Sequence, residues 1–277
     1  MPVPTSTPEL LAENYQFLQR HVYAETGIVL EEDKHYLFEC RLVPIVRRLG
    51  LATINDLCSL LQGPQSGDVS RQVVEAMTTN ETYFFRDPGQ YEAIRSILLP
   101  RLIKERSDSR RLRFWSAASS TGQEAYSLAM LLIQAGLSDW DIQILGTDFS
   151  SQVVERARSG KYLQIEVNRG LPAAMLVKHF RRADADWQLS DTVRNMVTFD
   201  TIDLRKPMRV LGPYDLVFCR NVMIYFDLET KKKILQELHG TLFRGGWLFL
   251  GGVETAFGLD KWFERLGVGN SIAYVAR

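Results

Sequence analysis

Polar side chains suited to ligand binding follow two predicted strands of this sequence. Asp148 closely follows the apolar segment 142–145, and Arg220 and Asn221 follow the continuous apolar segment 214–219. Active groups of open α/β sheets cluster at the carboxyl ends of such strands. An acidic residue at the end of the second strand is placed to accept hydrogen bonds from both ribose hydroxyls of a nucleotide, although Asp148 also suits the cap of the helix that follows it. The two roles are compatible.

A run of six small residues, 117–122, separates a predicted strand from a predicted helix. Such a strand, turn and helix open nucleotide-binding α/β folds, in which free N–H groups at the helix start meet the polar end of a cofactor. The run has one glycine where a dinucleotide fingerprint has three, and it lacks the lysine of a phosphate-binding P-loop. Thr121 and Glu124 also have the spacing of a capping box, which requires no ligand. The turn therefore leaves both ligand binding and simple helix capping open.

The segment 78–86, TTNETYFFR, places polar residues beside aromatic ones. Its aromatic residues are Tyr83, Phe84 and Phe85. Burial between two domains is the simplest interpretation for two of these three. Burial does not explain Asn80, Thr82 and Arg86, which together with the small-residue turn predict the wall of a ligand pocket.

The first 80 residues predict an all-helical domain, because apolar residues recur three and four apart and Gly or Pro falls at suitable ends. The predicted helices span residues 8–25, 32–49, 53–62 and 67–78. Pro44 within the second helix predicts a bend or an early stop. Asp87, which precedes a proline, predicts the cap of a further helix that runs to about residue 105.

Beyond residue 80, strands and helices alternate, which predicts an α/β fold with buried parallel strands. The predicted strands lie near residues 112–115, 142–145, 196–199, 214–219, 247–250 and 272–276. Residues 160–195 are less regular and predict an insertion. Residues 244–246 predict a turn, and the GxG at 267–269 predicts a hairpin turn because no suitable strand precedes it.

Three basic residues of the second helix, Lys34, Arg41 and Arg48, are seven apart and therefore share one face. A solvated helix face explains this spacing without any partner. The alternative is a docking surface for an acidic helix.

Composition excludes several classes of protein. The 277 residues carry 33 basic and 33 acidic side chains, so no global field attracts the chain to nucleic acid or to a membrane surface. No signal peptide and no membrane-spanning segment is predicted. Cys40, Cys58 and Cys219 lack CxxC spacing and predict reduced thiols in the cytosol.

The sequence also lacks the usual patterns of hydrolytic and metal chemistry. The four histidines are scattered, with neither HExxH spacing nor a cysteine cluster, so no metal site is predicted. There is no G-x-S-x-G nucleophile motif. A reaction that needs no general base would account for this pattern.

Five motifs occur in order along the chain: NETYFFR, FWSAASSTGQEAYSLA, GTDFSSQVVERARSG, FCRNVMIYFD and RGGWLFLGGVE. Together they resemble the CheR family of chemotaxis receptor methyltransferases, from about residue 10 to the end. The resemblance implies a class I S-adenosylmethionine-dependent methyltransferase with a Rossmann-like domain over residues 81–277. It also implies an all-α N-terminal domain over residues 1–80 and a β-subdomain inserted at about residues 165–200.

The family's activity, which the resemblance implies here, is methylation of glutamate side chains on the cytoplasmic helices of chemoreceptors. The products would be glutamate methyl esters and S-adenosylhomocysteine, for adaptation in bacterial chemotaxis. The cofactor-binding residues implied are Asn80, Thr82, Arg86, Glu124, Asp148, Asp203, Leu204, Arg220 and Asn221. Glu124 would hold the methionine end of the cofactor and Asp148 its ribose.

The catalytic residues implied by the resemblance are Arg86 and Tyr225, both facing the acceptor glutamate. Two positions depart from the family pattern. Asp203 stands where the family has asparagine, and Glu254 ends Gly-Gly-Val-Glu where the family has a Gly-His-Ser-Glu-like turn.

The implied partner is the cytoplasmic domain of a chemoreceptor, with docking through Lys34, Arg41 and Arg48. Some family members are tethered by a C-terminal receptor pentapeptide that adds to the β-subdomain. The corresponding segment, at about residues 180–199, is short here and predicts independence of that pentapeptide. Rival hypotheses are a non-catalytic adaptor that senses S-adenosylmethionine and a methyltransferase acting on nucleic acid or a small molecule; the neutral charge argues against nucleic acid.

Overall fold

The structure is a computed structural model that describes residues 10–31, 34–64, 66–137, 139–256 and 258–277. The chain divides into two compact units. The helical unit consists of the described residues up to Thr79 together with Tyr225–Asp227. The sheet unit consists of Asn80–Ile224 and Leu228–Arg277.

The helical unit contains helices at the four predicted places. They are α1 (Ala12–Thr26), α2 (His35–Arg48), α3 (Ile54–Leu61) and α4 (Gly67–Met77). The predicted starts of the first two, at residues 8 and 32, lie outside the described residues. Local signals set the ends: Gly27 adopts φ 74° after α1, and Thr53 and Asp56 form a capping box at the start of α3. One apolar cluster joins the helices, with Leu18, Phe38 and Leu57 fully buried.

Pro44 lies inside α2, and the helix continues past it to Arg48. The predicted early stop is therefore wrong. Buried Leu42, Ile45 and Val46 flank the proline, so packing of this face stabilises the helix although proline cannot donate a backbone hydrogen bond.

The basic face of α2 is partly engaged within the helical unit. Arg41 donates to the carbonyl oxygens of Met77 and Thr78 at 2.7 and 3.0 Å, which are acceptors at the end of α4. Arg48 donates to the side chain of Gln72. Arg41 therefore has a structural role, and docking through this face stays a prediction.

The sheet unit is built on parallel strands, as predicted. The strands in chain order are β1 (Arg111–Ala117), β2 (Asp141–Asp148), β3 (Lys161–Tyr162), β4 (Phe180–Ala183), β5 (Asp186–Leu189), β6 (Val197–Thr201), β7 (Tyr214–Phe218), β8 (Leu242–Phe249), β9 (Phe263–Val268) and β10 (Ser271–Ala276). The main sheet has the order β6-β2-β1-β7-β8-β10-β9. Among the pairings described in this sheet, only those of β10 with β8 and β9 are antiparallel.

The strand order reverses at β1. The chain passes from β1 outwards to β2 and β6, then returns to β7 on the other side. In open α/β sheets, such a reversal leaves a crevice beyond the carboxyl ends of the strands, where ligands bind. The residues after β1, β2 and β7 therefore border the crevice in which a ligand would bind.

Two turn predictions near the end of the chain have different outcomes. The predicted hairpin is confirmed, because Val268 pairs with Ser271 across Gly269, which has φ 57°. The predicted turn at residues 244–246 is wrong. Those residues lie inside β8, where the pairing with β7 shifts register and forms a bulge.

Helices cover the main sheet. In chain order the remaining helices are α5 (Pro88–Ala93), α6 (Leu99–Glu105), α7 (Gln123–Gln134), α8 (Ser151–Ser159), α9 (Gln164–Val167), α10 (Ala173–His179), α11 (Asp191–Arg194) and α12 (Leu228–Gly240). A π-helical turn, Ile94–Leu98, joins α5 to α6 and forms the single helix predicted there. Pro100, which has no N–H to donate to a carbonyl oxygen of the preceding turn, lies in the first turn of α6, where the π-helical turn ends.

An antiparallel three-stranded sheet, β3-β5-β4, interrupts the main fold between β2 and β6. It is the inserted β-subdomain implied by the resemblance. Phe84 anchors it, since its ring lies 5.0 Å from that of Tyr162 and 5.6 Å from that of Phe180. The segment 80–86 is thus packed between the main fold and the insertion.

Among the described helices, none has the length and apolar character that crossing a bilayer requires.

Candidate functional site

The small-residue turn after β1 has an unusual backbone. Ala118 and Ser120 adopt φ values of 71° and 49°, and Gly122 adopts 93°. Non-glycine residues in this region are strained, and they persist where the surrounding structure fixes them, often at ligand sites. Here the Ser119 N–H donates to the Thr147 carbonyl oxygen at 2.7 Å. The turn is therefore held against the end of β2, with small side chains where a ligand would approach.

Asp148, at the end of β2, is buried beside this turn. Its carboxylate accepts hydrogen bonds from the N–H groups of Ser120 at 2.9 Å and Ser150 at 3.1 Å. Ser150 is the N-cap residue of α8, so Asp148 contacts both the turn and the start of the next helix. The arrangement agrees with the helix-start role, and a role toward a ribose stays a prediction.

Asp203 and Leu204 lie after β6, in a loop that contacts the same region. The Ile202 N–H donates to the carbonyl oxygen of Asp148 at 2.9 Å. Leu204 is buried, and the Asp203 carboxylate forms an ion pair with Arg205 at 2.8 Å. The pair thus directly follows a residue that is bonded to Asp148, and the charge of Asp203 is compensated by a cation two residues away.

The segment 80–86 meets the turn directly. The Ser120 hydroxyl donates to the carbonyl oxygen of Asn80 at 2.7 Å. The Phe85 N–H donates to the hydroxyl oxygen of Ser127 on α7 at 2.9 Å. Two bonds therefore fasten the segment to the turn and to the helix that follows it.

Arg86 folds back over its own segment. Its guanidinium donates to the Glu81 carbonyl oxygen at 3.1 Å and lies 5.5 Å from the centre of the Tyr83 ring. Arg169 of the insertion stacks on the same ring at 4.5 Å and pairs with Glu81 at 2.6 Å. This ion pair lowers the pKa of the exposed Glu81 carboxyl.

Asn80 and Thr82 line a polar cleft of about 560 Å³. The cleft is lined by Asn80, Glu81, Thr82, Thr121, Gln123, Gln152, Val153, Arg156, Glu166 and Arg169. Arg86, Asp148, Arg220 and Asn221 do not line it. The cleft therefore borders part of the predicted site.

A buried guanidinium joins several of the predicted residues. The Arg220 side chain is 1% exposed, and it donates to the Glu124 carboxylate at 2.7 Å and to the Asp87 carboxylate at 2.5 Å. It also donates to the Arg86 carbonyl oxygen at 2.8 Å. Glu124 accepts a further bond from the Ser116 hydroxyl at 2.7 Å. Burial by itself lowers the pKa of Arg220, but Glu124 and Asp87 raise it above its ordinary value, so the group stays cationic.

The predicted capping box of α7 is wrong, and the predicted cap of α5 is confirmed in position but lacks a side-chain bond; this cluster explains both. The capping box of Thr121 and Glu124 is absent, because Gly122 is the N-cap of α7 and Glu124 turns toward Arg220. Asp87 is at the N-cap position of α5, but its side chain makes no cap bond and pairs with Arg220. In both places a buried cation is a stronger partner for a carboxylate than a backbone N–H.

Asn221 follows Arg220 in a left-handed conformation, with φ 58°. The buried Glu254 carboxylate accepts from the Asn221 N–H at 2.8 Å, from the Gly251 N–H at 2.7 Å and from the Ile224 N–H at 3.3 Å. Glu254 therefore connects the loop after β7 to the loop after β8. The departure from the family's Gly-His-Ser-Glu-like turn lies in residues 252 and 253. The glutamate, whose carboxylate holds the two loops together, is kept.

Tyr225 belongs to the helical unit. Its carbonyl oxygen accepts from the Val29 N–H at 2.9 Å, and its neighbour Phe226 forms a β-bridge with Ile28. Its predicted pairing with Arg86 of the sheet unit stays a prediction.

Three residues that hold the site were not predicted as part of it: Asp87, Ser116 and Ser127. The position of Asp87 directly after Arg86 could have indicated a role in the site, but the adjoining proline favoured a helix cap. Nothing in the sequence indicated a role for the two serines, because only the folded structure shows what their hydroxyl groups contact.

The residues at the ends of β1 and β2 fit an adenosine-containing cofactor. The turn supplies small side chains, and Asp148 supplies a buried carboxylate at the position where ribose hydroxyls would donate. A parallel sheet that reverses at β1 and ends in an antiparallel hairpin is the architecture of class I S-adenosylmethionine-dependent methyltransferases. The fold predicted for this chain is confirmed.

Comparison with known families agrees with this class. Residues 80–272 match the family described as "CheR methyltransferase, SAM binding domain", and residues 13–78 match "CheR methyltransferase, all-alpha domain". The chain belongs to the CheR methyltransferase family, and its cofactor is S-adenosylmethionine.

Similar proteins from three bacteria cover nearly the whole chain. Chemotaxis protein methyltransferase Cher2 of Pseudomonas putida is 36% identical over 95% of this chain and 98% of its own length. Chemotaxis protein methyltransferase 1 of Pseudomonas aeruginosa is 37% identical over 96% and 99%. The chemotaxis protein methyltransferase of Vibrio parahaemolyticus is 35% identical over 95% and 96%.

The role of Asp148 can be tested with Asp148→Asn. Loss of a charged acceptor costs about 1.5–3 kcal/mol, so we expect the dissociation constant for S-adenosylmethionine to rise roughly 10- to 100-fold in calorimetry. Asp200→Asn is the matched control, because Asp200 is an exposed carboxylate on the neighbouring strand β6. Equal affinity of Asp148→Asn and the unmodified protein would limit Asp148 to its role at the start of α8.

Proposed function

We propose that the protein transfers the methyl group of S-adenosylmethionine to glutamate side chains on the cytoplasmic helices of chemoreceptors. The products are glutamate methyl esters and S-adenosylhomocysteine, and the process is adaptation in bacterial chemotaxis. Membership of the CheR family and relatives named chemotaxis protein methyltransferases support the receptor as substrate.

One observation supports glutamate as the acceptor: the site contains groups that position a substrate rather than groups that remove protons. Within the sheet unit, His179 lies on the insertion and His239 packs against Trp262, so neither follows β1, β2 or β7. Cys219, at the end of β7, is fully buried, and burial raises the pKa of its thiol well above the ordinary value. These described strand ends thus offer neither an imidazole nor an accessible thiol as a general base, and the Asp148 carboxylate there already accepts from two backbone N–H groups.

A glutamate acceptor needs no such base. A glutamate side chain in water has a pKa of about 4.3, so at neutral pH it is already a carboxylate and already a nucleophile. The carboxylate oxygen forms a bond to the methyl carbon while the carbon–sulfur bond breaks and its electron pair stays on sulfur. No proton moves in this step. Placement of the reacting atoms at about 3 Å can account for roughly 7–11 kcal/mol of the barrier.

S-adenosylmethionine supplies an activated methyl group on a sulfonium sulfur. Of the residues that would hold it, Asp148 would accept from the ribose hydroxyls, Glu124 would hold the methionine end, and Asp203 and Leu204 would lie near the adenine. Asn80, Thr82, Arg220 and Asn221 complete the cofactor site.

Arg86 and Tyr225 face the acceptor carboxylate. The Arg86 guanidinium orients the anion through paired hydrogen bonds, and the Tyr225 hydroxyl donates a neutral one. Because tight binding of the anion would reduce its reactivity, one charged and one neutral donor suit the step better than two cations.

The receptor docks on α2 through Lys34, Arg41 and Arg48. Their spacing of seven residues and their positive charge complement a helix rich in glutamate, and Arg41 also closes α4. Recognition is independent of a C-terminal receptor pentapeptide, which is supported by the short strands β4 and β5 of four residues each.

The activity is tested with a labelled methyl group on S-adenosylmethionine and a cytoplasmic receptor fragment. We expect label on the fragment that mild base releases as methanol, because carboxyl methyl esters are base-labile. A fragment without its C-terminal pentapeptide should be labelled at a similar rate, and Arg86→Ala should label it far more slowly. Cofactor binding without any transfer would instead favour a non-catalytic sensor, and base-stable label would contradict glutamate as the acceptor.

Docking is tested by the double variant Lys34→Glu and Arg48→Glu, which spares the structural Arg41. We expect roughly a tenfold higher KM for the receptor fragment and an unchanged dissociation constant for S-adenosylmethionine, because reversal converts attraction into repulsion. The control is Arg20→Glu with Arg71→Glu, which changes the net charge equally on exposed residues of α1 and α4. If the two double variants have the same KM, the basic face of α2 is only solvated.

A further inference from the structure

The backbone on both sides of Arg86 is strained. Phe85 has φ 51° and Asp87 has φ 58°, so Arg86 lies between two non-glycine residues in the left-handed region. Such residues are uncommon, and a pair of them persists only where other contacts fix the conformation. The position of Arg86 is therefore set by what holds its two neighbours.

The Phe85 side of this turn is held by α7. The Phe85 N–H donates to the Ser127 hydroxyl oxygen at 2.9 Å, and that hydroxyl donates to the Gln123 carbonyl oxygen at 2.6 Å. Ser127 is fully buried. The Phe85 ring also packs at 5.1 Å against Tyr91, so this side has both a polar and an apolar anchor.

The Asp87 side is held by Arg220. One guanidinium nitrogen, Nη2, donates both to the Arg86 carbonyl oxygen at 2.8 Å and to the Asp87 carboxylate at 2.5 Å. The other terminal nitrogen, Nη1, donates to Glu124 at 2.7 Å. The guanidinium is thus fixed between two carboxylates, and its Nη2 atom also contacts the backbone carbonyl oxygen of Arg86.

The two carboxylates do not have equal roles. Glu124 is 11% exposed and compensates the buried charge of Arg220, whereas the Asp87 side chain is 43% exposed. Without Asp87, Arg220 would still have a buried anionic partner. The contribution of Asp87 is therefore to fix the direction of the guanidinium toward the Arg86 carbonyl.

We infer that Asp87 is a positioning residue for methyl transfer: through Arg220 it fixes the backbone of Arg86 between its two strained neighbours, and hence the direction in which the Arg86 side chain leaves the chain. The inference rests on the proposed role of Arg86 toward the acceptor carboxylate. A displacement of about 1 Å at such a group can reduce a rate about 100-fold, so a residue that does not touch substrate can limit turnover.

Two substitutions at Asp87 distinguish the effect of losing its carboxylate from the effect of the strained backbone at that position. Asp87→Gly removes the carboxylate and accepts positive φ without cost, and Asp87→Asn keeps an oxygen acceptor in a residue that tolerates this region. We expect Asp87→Gly to lower kcat about 10- to 100-fold, with the KM and dissociation constant for S-adenosylmethionine within about threefold of the unmodified protein. Asp87→Asn should lower kcat less than Asp87→Gly does, because the amide oxygen of asparagine can still accept a hydrogen bond from Arg220.

The control is Asp191→Asn, which removes an exposed carboxylate that pairs with Arg194 at 3.0 Å and should leave kcat unchanged. Hydrogen exchange followed by mass spectrometry supplies a readout that needs no acceptor. Peptides covering residues 83–90 should exchange faster in both Asp87 variants than in the control, whereas peptides from the rest of the sheet unit should exchange at the control rate.

Unaltered exchange in residues 83–90, or a kcat within about twofold of normal in Asp87→Gly, would overturn the inference. So would a loss of activity that is fully explained by weaker cofactor binding. If the unmodified protein fails to methylate the receptor fragment, the proposed function fails, and the exchange measurement still decides the positioning role of Asp87.

Discussion

The site depends on the burial of one guanidinium. Arg220 is 1% exposed at the end of β7, and leaving its charge unpaired there would cost several kcal/mol. Glu124 and Asp87 supply the compensating charges, and the Arg86 carbonyl supplies a further acceptor. Three separate parts of the chain are therefore required to meet at one point: the loop after β7, the start of α7, and residues 86–87 before α5.

Sheet topology brings these parts together, and local strain makes the arrangement specific. The strand order reverses at β1, which places the ends of β1, β2 and β7 along one edge. Around that edge, Phe85, Asp87, Ala118, Ser120 and Asn221 all have positive φ. Each conformation costs about 1–3 kcal/mol and persists only because the surrounding contacts fix it. Rigid placement of this kind suits a reaction whose barrier is lowered by position rather than by proton transfer.

Sequence patterns predicted the elements well and the polar contacts poorly. Periodicity identified α1–α4 and most strands, because hydrophobic spacing reports directly which face of an element is buried. Capping rules placed the start of α5 at Asp87 correctly but missed the partner of the Asp87 and Glu124 side chains, since they consider only neighbours along the chain and Arg220 is 133 and 96 residues away. The brace formed by Glu254 escaped prediction for the same reason, as it joins the loops after β7 and β8. The resemblance supplied the list of site residues, but it could not reveal which of them hold one another.

In the proposed reaction the acceptor is ionised before it reacts, and no group of the enzyme must take a proton. The most direct measurement is the pH dependence of kcat/KM for methylation of a receptor fragment between about pH 4 and pH 9. Protonation of the acceptor, with the ordinary glutamate pKa of about 4.3, should lower the rate only at the acid end, and the profile should be flat from about pH 6 upwards. A rise governed by an ionisation between about pH 6 and pH 8 would reveal a general base and contradict the account.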